Sequence, residues 1–220
     1  MSKVTRRTFL GGAVGAAGLI AASARFGVDH AEAKTSTPKF DLDRFIDEVK
    51  RARAEKESQK AVQEVLSRAV SEPGAILQEI GEPAEAGIHT LYNAKDLTIL
   101  NVVWAPRMVL LPHNHEMWAT IGIYTGREDN ILWERTGSQI EAVSAASLSQ
   151  EEVFPLSDVA IHSVTNPIDR LTGAIHIYGG DFFETPRSEW DPETLRERPF
   201  DLERAKRAFK EANDRFNSDR

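Results

Sequence analysis

The chain of 220 residues contains no cysteine, which excludes disulfides, thiolate-held metals, iron–sulfur clusters and cysteine nucleophiles together. Aromatic residues are sparse, at 8%, and methionine occurs three times. Basic residues are also in deficit: 27 Lys and Arg stand against 34 Asp and Glu, a net charge of -7, so a polyanion such as nucleic acid is repelled overall. The uncharged run Gly11 to Ala24 falls short of the roughly 20 apolar residues a bilayer-spanning helix needs. What remains is a chain with 41% hydrophobic and 28% charged residues, the balance of a globular domain with one sizeable core. Its chemistry must run on His, carboxylates, Tyr, Ser/Thr or a bound metal.

The N-terminus reads Thr5-Arg6-Arg7-Thr8-Phe9-Leu10, then the Gly/Ala-rich run, then Ala31-Glu32-Ala33. Basic head, apolar stretch and small residues at an A-x-A site occur in the order of a secretory signal. The paired arginine before Phe-Leu resembles the twin-arginine export signal. The resemblance implies residues 1–33 as a signal peptide, the twin-arginine translocation machinery as a partner, and a periplasmic or secreted protein with no stable membrane insertion after cleavage. Cleavage is expected before Lys34, with Ala22-Ser23-Ala24 as a competing site. Four basic and two acidic residues would leave with residues 1–33, taking the net charge from -7 to -9.

Residues 34–86 form a helical segment on this reading. Phe40, Phe45, Val49, Val62, Val65, Leu66 and Ala69 recur at three- and four-residue steps among charges, predicting one or two amphipathic helices that Ser71-Glu72-Pro73-Gly74 stops. Over residues 87–183 the grain changes to short Val-, Ile-, Leu-, Trp- and Thr-rich runs separated by Pro, Gly, Asn and Asp. Strands are predicted near His89–Leu91, Leu97–Trp104, Met108–Leu111, His113–Glu116, Thr120–Tyr124, Ile131–Arg135, Val153–Pro155, Ala160–Val164 and Gly173–Tyr178. Such spacing makes the chain mainly β, a sandwich or barrel. Residues 184–220 are a polar, Pro-containing extension ending in an amphipathic helix marked by Leu202, Ala205, Phe209, Ala212 and Phe216.

Four of the six histidines fall in the strand-rich region: His113, His115, His162 and His176. In Pro112-His113-Asn114-His115 the imidazoles are two residues apart, so on a strand both face the same side, whereas Glu116 faces away. Neutral imidazole is the commonest ligand of divalent transition metals, and His162, from a distant strand, completes a set of three. The metal site predicted from these residues is His113, His115 and His162.

His113-x-His115, with Gly126 closing the next strand, followed by His162-x-x-x-Asn166, resembles the paired motifs of the cupin superfamily. That resemblance implies a double-stranded β-helix, or jelly-roll, barrel flanked here by N- and C-terminal amphipathic helices. The glutamate ligand usual in cupins has no counterpart, since Ala119 and Thr120 stand at its spacing. Three-histidine cupins are typified by the cysteine dioxygenase-like thiol dioxygenases, and His162-Ser163-Val164-Thr165-Asn166 and Ala174-Ile175-His176-Ile177-Tyr178 resemble two segments of that family. The implied activity is Fe(II)-dependent oxidation of a small thiol to a sulfinate with O2, with other divalent transition metals as alternatives, and with His176 and Tyr178 as catalytic residues of the substrate pocket. Asn166 is expected to serve a turn or to support the ligands.

The departures from the family pattern are specific. The Cys that animal members bond to the pocket Tyr is missing, with Thr120 near its location; Ala174 replaces a Ser; and Tyr92-Asn93-Ala94 stands where an arginine holds the substrate carboxylate. The same histidines also allow a metallo-cupin enzyme acting on a carbon substrate, or a non-catalytic metal-binding cupin.

Overall fold

A computed structural model describes residues 40–218. The expected signal peptide, residues 1–33, lies outside the described residues. Three helices come first: α1 (Leu42–Arg53), α2 (Ser58–Val70) and α3 (Pro73–Ile80). Asp41 caps α1, its carboxylate accepting from the Arg44 N–H at 2.8 Å, and Lys50, Arg51 and Arg53 end it favourably for the helix dipole. The predicted stop at Ser71–Gly74 ends α2, but it also begins a third helix, because Pro73 at the first helical position gives up an N–H that has no partner there in any case.

The strands are β1 (Gly87–Ala94), β2 (Leu97–Trp104), β3 (Val109–Asn114), β4 (Ala119–Thr125), β5 (Arg127–Thr136), β6 (Gln139–Ser149), β7 (Val153–Leu156), β8 (Ile161–Thr165), β9 (Thr172–Tyr178), β10 (Ser188–Trp190) and β11 (Glu197–Pro199). The helix α4 (Leu202–Ser218) follows. They build two antiparallel sheets, ordered β1-β2-β9-β4-β7 and β11-β10-β3-β8-β5-β6. From β2 to β5 each successive strand changes sheet, and from β7 to β9 the alternation resumes after the β5–β6 hairpin. A chain wound this way is a double-stranded β-helix barrel, in agreement with the fold the motifs imply.

Strand alternation then sorts the side chains. On β9, Ala174 and Tyr178 join the barrel interior with Leu100, Val102, Trp104, Ile121 and Phe209. Ile175 and Ile177 face the other way, into a second core with Val49, Val62, Leu66 and Ile76 of the helices. Contact there is close: a Cβ on Gly122 would lie 2.8 Å from Leu66 Cγ, so only glycine lets α2 settle on β4. Gly126, the glycine of the first motif, has φ +84, and a Cβ would meet Thr172 Oγ1 at 2.3 Å. Thr120 shares its strand face with Gly122 and Tyr124, toward the helices and away from the barrel interior. At one end of the barrel, α4 lays Phe209 on Trp104, ring centroids 5.2 Å apart. Among the described residues no helix is long and apolar enough to cross a membrane.

Candidate metal centre

His113 on β3 and His162 on β8 are directly opposed in the strand register, a pairing that brings their rings to 4.6 Å between centroids. His115 reaches them by a route other than the expected one. The strand ends at Asn114 after an irregular register across Pro112, and Glu116 takes φ +55, so no strand runs through His113–Glu116. The His115 ring still meets His113 and His162 at 5.0 Å each. Asn114 between them faces away and accepts from the Ser188 N–H at 2.7 Å, while its amide holds the exposed Glu116.

The three imidazoles offer nitrogens that all lie within 4.8 Å of one another. His162 Nε2 and His115 Nε2 are 3.4 Å apart, and His113 Nδ1 lies 2.9 Å from the Leu111 carbonyl. Burial holds His113 neutral, its pKa lowered to about 4. His115 and His162 are pushed well below the ordinary value, by burial first and by the neighbouring histidines second. His115 Nδ1 is buried without a hydrogen-bond partner, so protein groups alone leave the cluster incompletely satisfied. Three converging neutral imidazoles are a donor set that fits a divalent transition metal, and the group can hold one ion.

His176 and Tyr178 line the same interior. His176 Nδ1 is 3.1 Å from the Tyr178 hydroxyl, and the Tyr178 ring meets His115 at 4.9 Å between centroids. Burial raises the Tyr178 pKa, so the phenol keeps its proton at neutral pH. Asn166 is a turn residue: its amide donates to the Trp104, Ala105 and Arg170 carbonyls and its Oδ1 accepts from the Ile168 N–H.

Several residues of the site carry no sequence motif. Glu128 and Asn130 of β5 are wholly buried. Glu128 accepts from Trp104 Nε1 at 2.7 Å and from Asn130 Nδ2 at 3.0 Å, and Asn130 Oδ1 lies 2.7 Å from His162 Nδ1. His176 Nε2 also approaches Glu128 Oε2, at 3.4 Å, without hydrogen-bond alignment. From the C-terminal extension, Arg187 slides its guanidinium between Phe182 and Phe200, 4.2 Å from each ring centroid. Those rings in turn pack on Tyr178 and on His113. Arg187 donates to the Phe182 and Thr185 carbonyls, its Nε has no partner, and among the described residues no Asp or Glu pairs with it. Burial lowers its pKa to about 10. An inner cavity of about 30 Å³ is walled by His113, His162, His176, Tyr178, Phe182 and Phe200. A second, of about 170 Å³, shares His113, Phe200 and Ala205 with it and continues along α4. A larger hollow of about 720 Å³, at Arg107, Asp169 and Arg215, contains none of these histidines and is set aside for that reason.

No protein-family profile matches the chain. Solved structures that resemble it share little sequence. A tryptophan-to-tyrosine variant of oxalate decarboxylase from Bacillus subtilis aligns at 11% identity and a TM-score of 0.35, over 42% of this chain and 23% of that one. An RmlC-like cupin family protein with a double-stranded β-helix fold from Methanocaldococcus jannaschii aligns at 10% and 0.38, over 47% and 87%. A conserved protein with a double-stranded β-helix domain from Klebsiella pneumoniae aligns at 10% and 0.36, over 55% and 90%. The chain thus spans about a quarter of the decarboxylase, and none of these likenesses bears on its activity.

Proposed function

We propose that the protein is an Fe(II)-dependent dioxygenase of the cysteine dioxygenase-like type, which oxidises a small thiol to its sulfinate with O2 and is exported by the twin-arginine route to the periplasm or beyond. The observation that carries the reading is a cluster of three buried neutral imidazoles, two of which, His113 and His162, line a small cavity together with His176 and Tyr178. The ion held by His113, His115 and His162 would supply Lewis acidity toward the thiol and reducing electrons toward dioxygen. In balance, RSH and O2 give RSO2H, with both oxygen atoms on sulfur and the thiol as the reductant.

The chain's own groups do the rest. Tyr178, protonated at neutral pH, donates into the cavity in the tautomer whose His176 Nδ1–H donates to the phenol oxygen, 3.1 Å away. Arg187 is assigned the place of the cation missing at Tyr92-Asn93-Ala94, since its Nε is buried without a partner and among the described residues no carboxylate pairs with it, which favours an anionic ligand. Phe182, Phe200 and α4 exclude water. The reading therefore selects small thiols that carry a carboxylate.

The test is oxygen uptake by anaerobically Fe(II)-loaded protein against a panel of small thiols, with sulfinate identified by mass spectrometry. Stoichiometric uptake and sulfinate with a carboxylate-bearing thiol are expected; a fully loaded protein inert toward the whole panel rejects the reading. Export is tested separately by replacing Arg6 and Arg7 with Lys, which should leave the protein in the cytoplasmic fraction.

A further inference from the structure

Glu128 is a wholly buried carboxyl group at the centre of the network around the metal centre, although no motif points to it. Its two oxygens have fixed duties. Trp104 Nε1, which can only donate, occupies Oε2, and Asn130 Nδ2 donates to Oε1. An Asn amide that turns its NH2 toward Glu128 must turn its carbonyl the other way, and Asn130 Oδ1 lies 2.7 Å from His162 Nδ1. A carbonyl accepts only, so the imidazole proton must be on Nδ1 and the free lone pair on Nε2, the nitrogen that faces His115 at 3.4 Å.

We propose that Glu128 is a positioning residue: through the Asn130 amide it fixes the His162 tautomer that leaves Nε2 bare for a metal ion. The chain of dependence is directional. Trp104 sets which way a side chain at 128 faces, that side chain sets the Asn130 amide, and the amide sets where the imidazole carries its proton. Glu128 does not touch His162 and acts on that ring only through Asn130; its approach to His176 Nε2, at 3.4 Å, leaves the His162 proton unaffected.

This logic predicts an isosteric reversal. In Glu128→Gln the carbonyl must face the Trp104 N–H, so the new NH2 faces Asn130. Asn130 then flips, offers NH2 to His162 Nδ1, and drives the proton onto Nε2. Removing the donor with Trp104→Phe frees the introduced amide to turn its carbonyl back toward Asn130, and the original tautomer returns. A role in packing alone would make the second substitution add to the damage of the first.

The experiment uses the full chain, metal-free and 15N-labelled, with the His162 ring nitrogens read by two-bond 1H–15N correlation and assigned by the spectrum of His162→Gln. The wild type is expected to carry the proton on Nδ1, Glu128→Gln on Nε2, and the Trp104→Phe, Glu128→Gln double variant on Nδ1 again. In parallel, anaerobic Fe(II) affinity measured by chelator competition should fall about 10–100-fold in Glu128→Gln, the usual cost of losing such support to a ligand, and recover in the double variant to within a few-fold of Trp104→Phe alone. A wild-type proton on Nε2 overturns the proposal, and that measurement needs no substitution at Trp104, Glu128 or Asn130. An unchanged tautomer in Glu128→Gln, or a double variant that binds iron more weakly than Glu128→Gln, overturns it as well. The iron arm rests on the metal site proposed above, but the tautomer is read without metal or thiol, so failure of the dioxygenase reading leaves it standing.

Discussion

Acid should destabilise the metal-free protein steeply over a window set by the three histidines. Unfolded, an imidazole titrates near 6.5; folded, His113 is held near 4 by burial. A group whose folded value is depressed is stabilising above its unfolded value, and that stability is lost as the pH falls toward the folded one. At pH 5.5 the unfolded chain holds about 0.9 of a proton on this residue and the folded chain almost none, so His113 alone removes about 1.2 kcal/mol of unfolding free energy per pH unit. His115 and His162 shift in the same direction for the same cause. Between pH 7 and pH 5 His113 alone removes about 2 kcal/mol, a sizeable part of the roughly 5–15 kcal/mol that holds many domains folded, and the other two add to the loss in the same sense. Urea unfolding of the metal-free chain at half-unit steps from pH 7 to 5, at fixed ionic strength, measures it. His113→Gln should lower the slope near pH 5.5 by about 1 kcal/mol per pH unit. A free energy that stays level or rises on acidification would refute the reasoning, because the histidines could not then be buried and neutral.

Tyr178→Phe should retain iron but lose about 100-fold in thiol-dependent oxygen uptake, since only the hydroxyl donor is removed; undiminished uptake would deny it a catalytic role. Arg187→Ala should raise KM roughly tenfold or more for a carboxylate-bearing thiol while leaving KM for 2-mercaptoethanol within about twofold, and equal effects on both would remove the anion from its role. Gly122→Ala should cost about 1–3 kcal/mol in urea unfolding by forcing α2 off β4, with part of the loss recovered when Leu66 is also shortened to Ala; a neutral Gly122→Ala would contradict the close packing.

What could be read ahead of the structure was whatever repeats with a period or carries a rare residue type. Leu97–Trp104 is a strand at the predicted bounds, because a mostly apolar run, interrupted only by Thr98 and Asn101 and framed by polar turns, suits a strand buried on both faces. The three histidines meet as expected, although His115 does so from beyond the strand end. The missed β6 is rich in Ser and Ala, exposed along most of its length, and lies at a sheet edge where no alternation is required. Three-residue strands β10 and β11 are too short to leave a pattern. Gly126-Arg127-Glu128-Asp129-Asn130 looks like a polar turn, so the strand was expected to begin at Ile131; in fact it starts at Arg127 and drives Glu128 and Asn130 inward. The pair spaced by two was a faint signal, yet its burial depends on partners 24 and 32 residues away, Trp104 for Glu128 and His162 for Asn130. Arg187 was equally silent, one cation in a charged extension whose folding back against the barrel no local spacing encodes.

The inner cavity of about 30 Å³ is roughly the share of liquid volume of one water molecule. His113 also lines the second cavity, of about 170 Å³ along α4, and two walls of the inner one, Phe182 and Phe200, belong to segments outside the barrel strands. Arg187 is the rivet between these two rings. On the function proposed above, the guanidinium that meets a substrate carboxylate is also the one that holds these two rings, so the rate of entry is expected to depend on the charge of the visitor as well as its size.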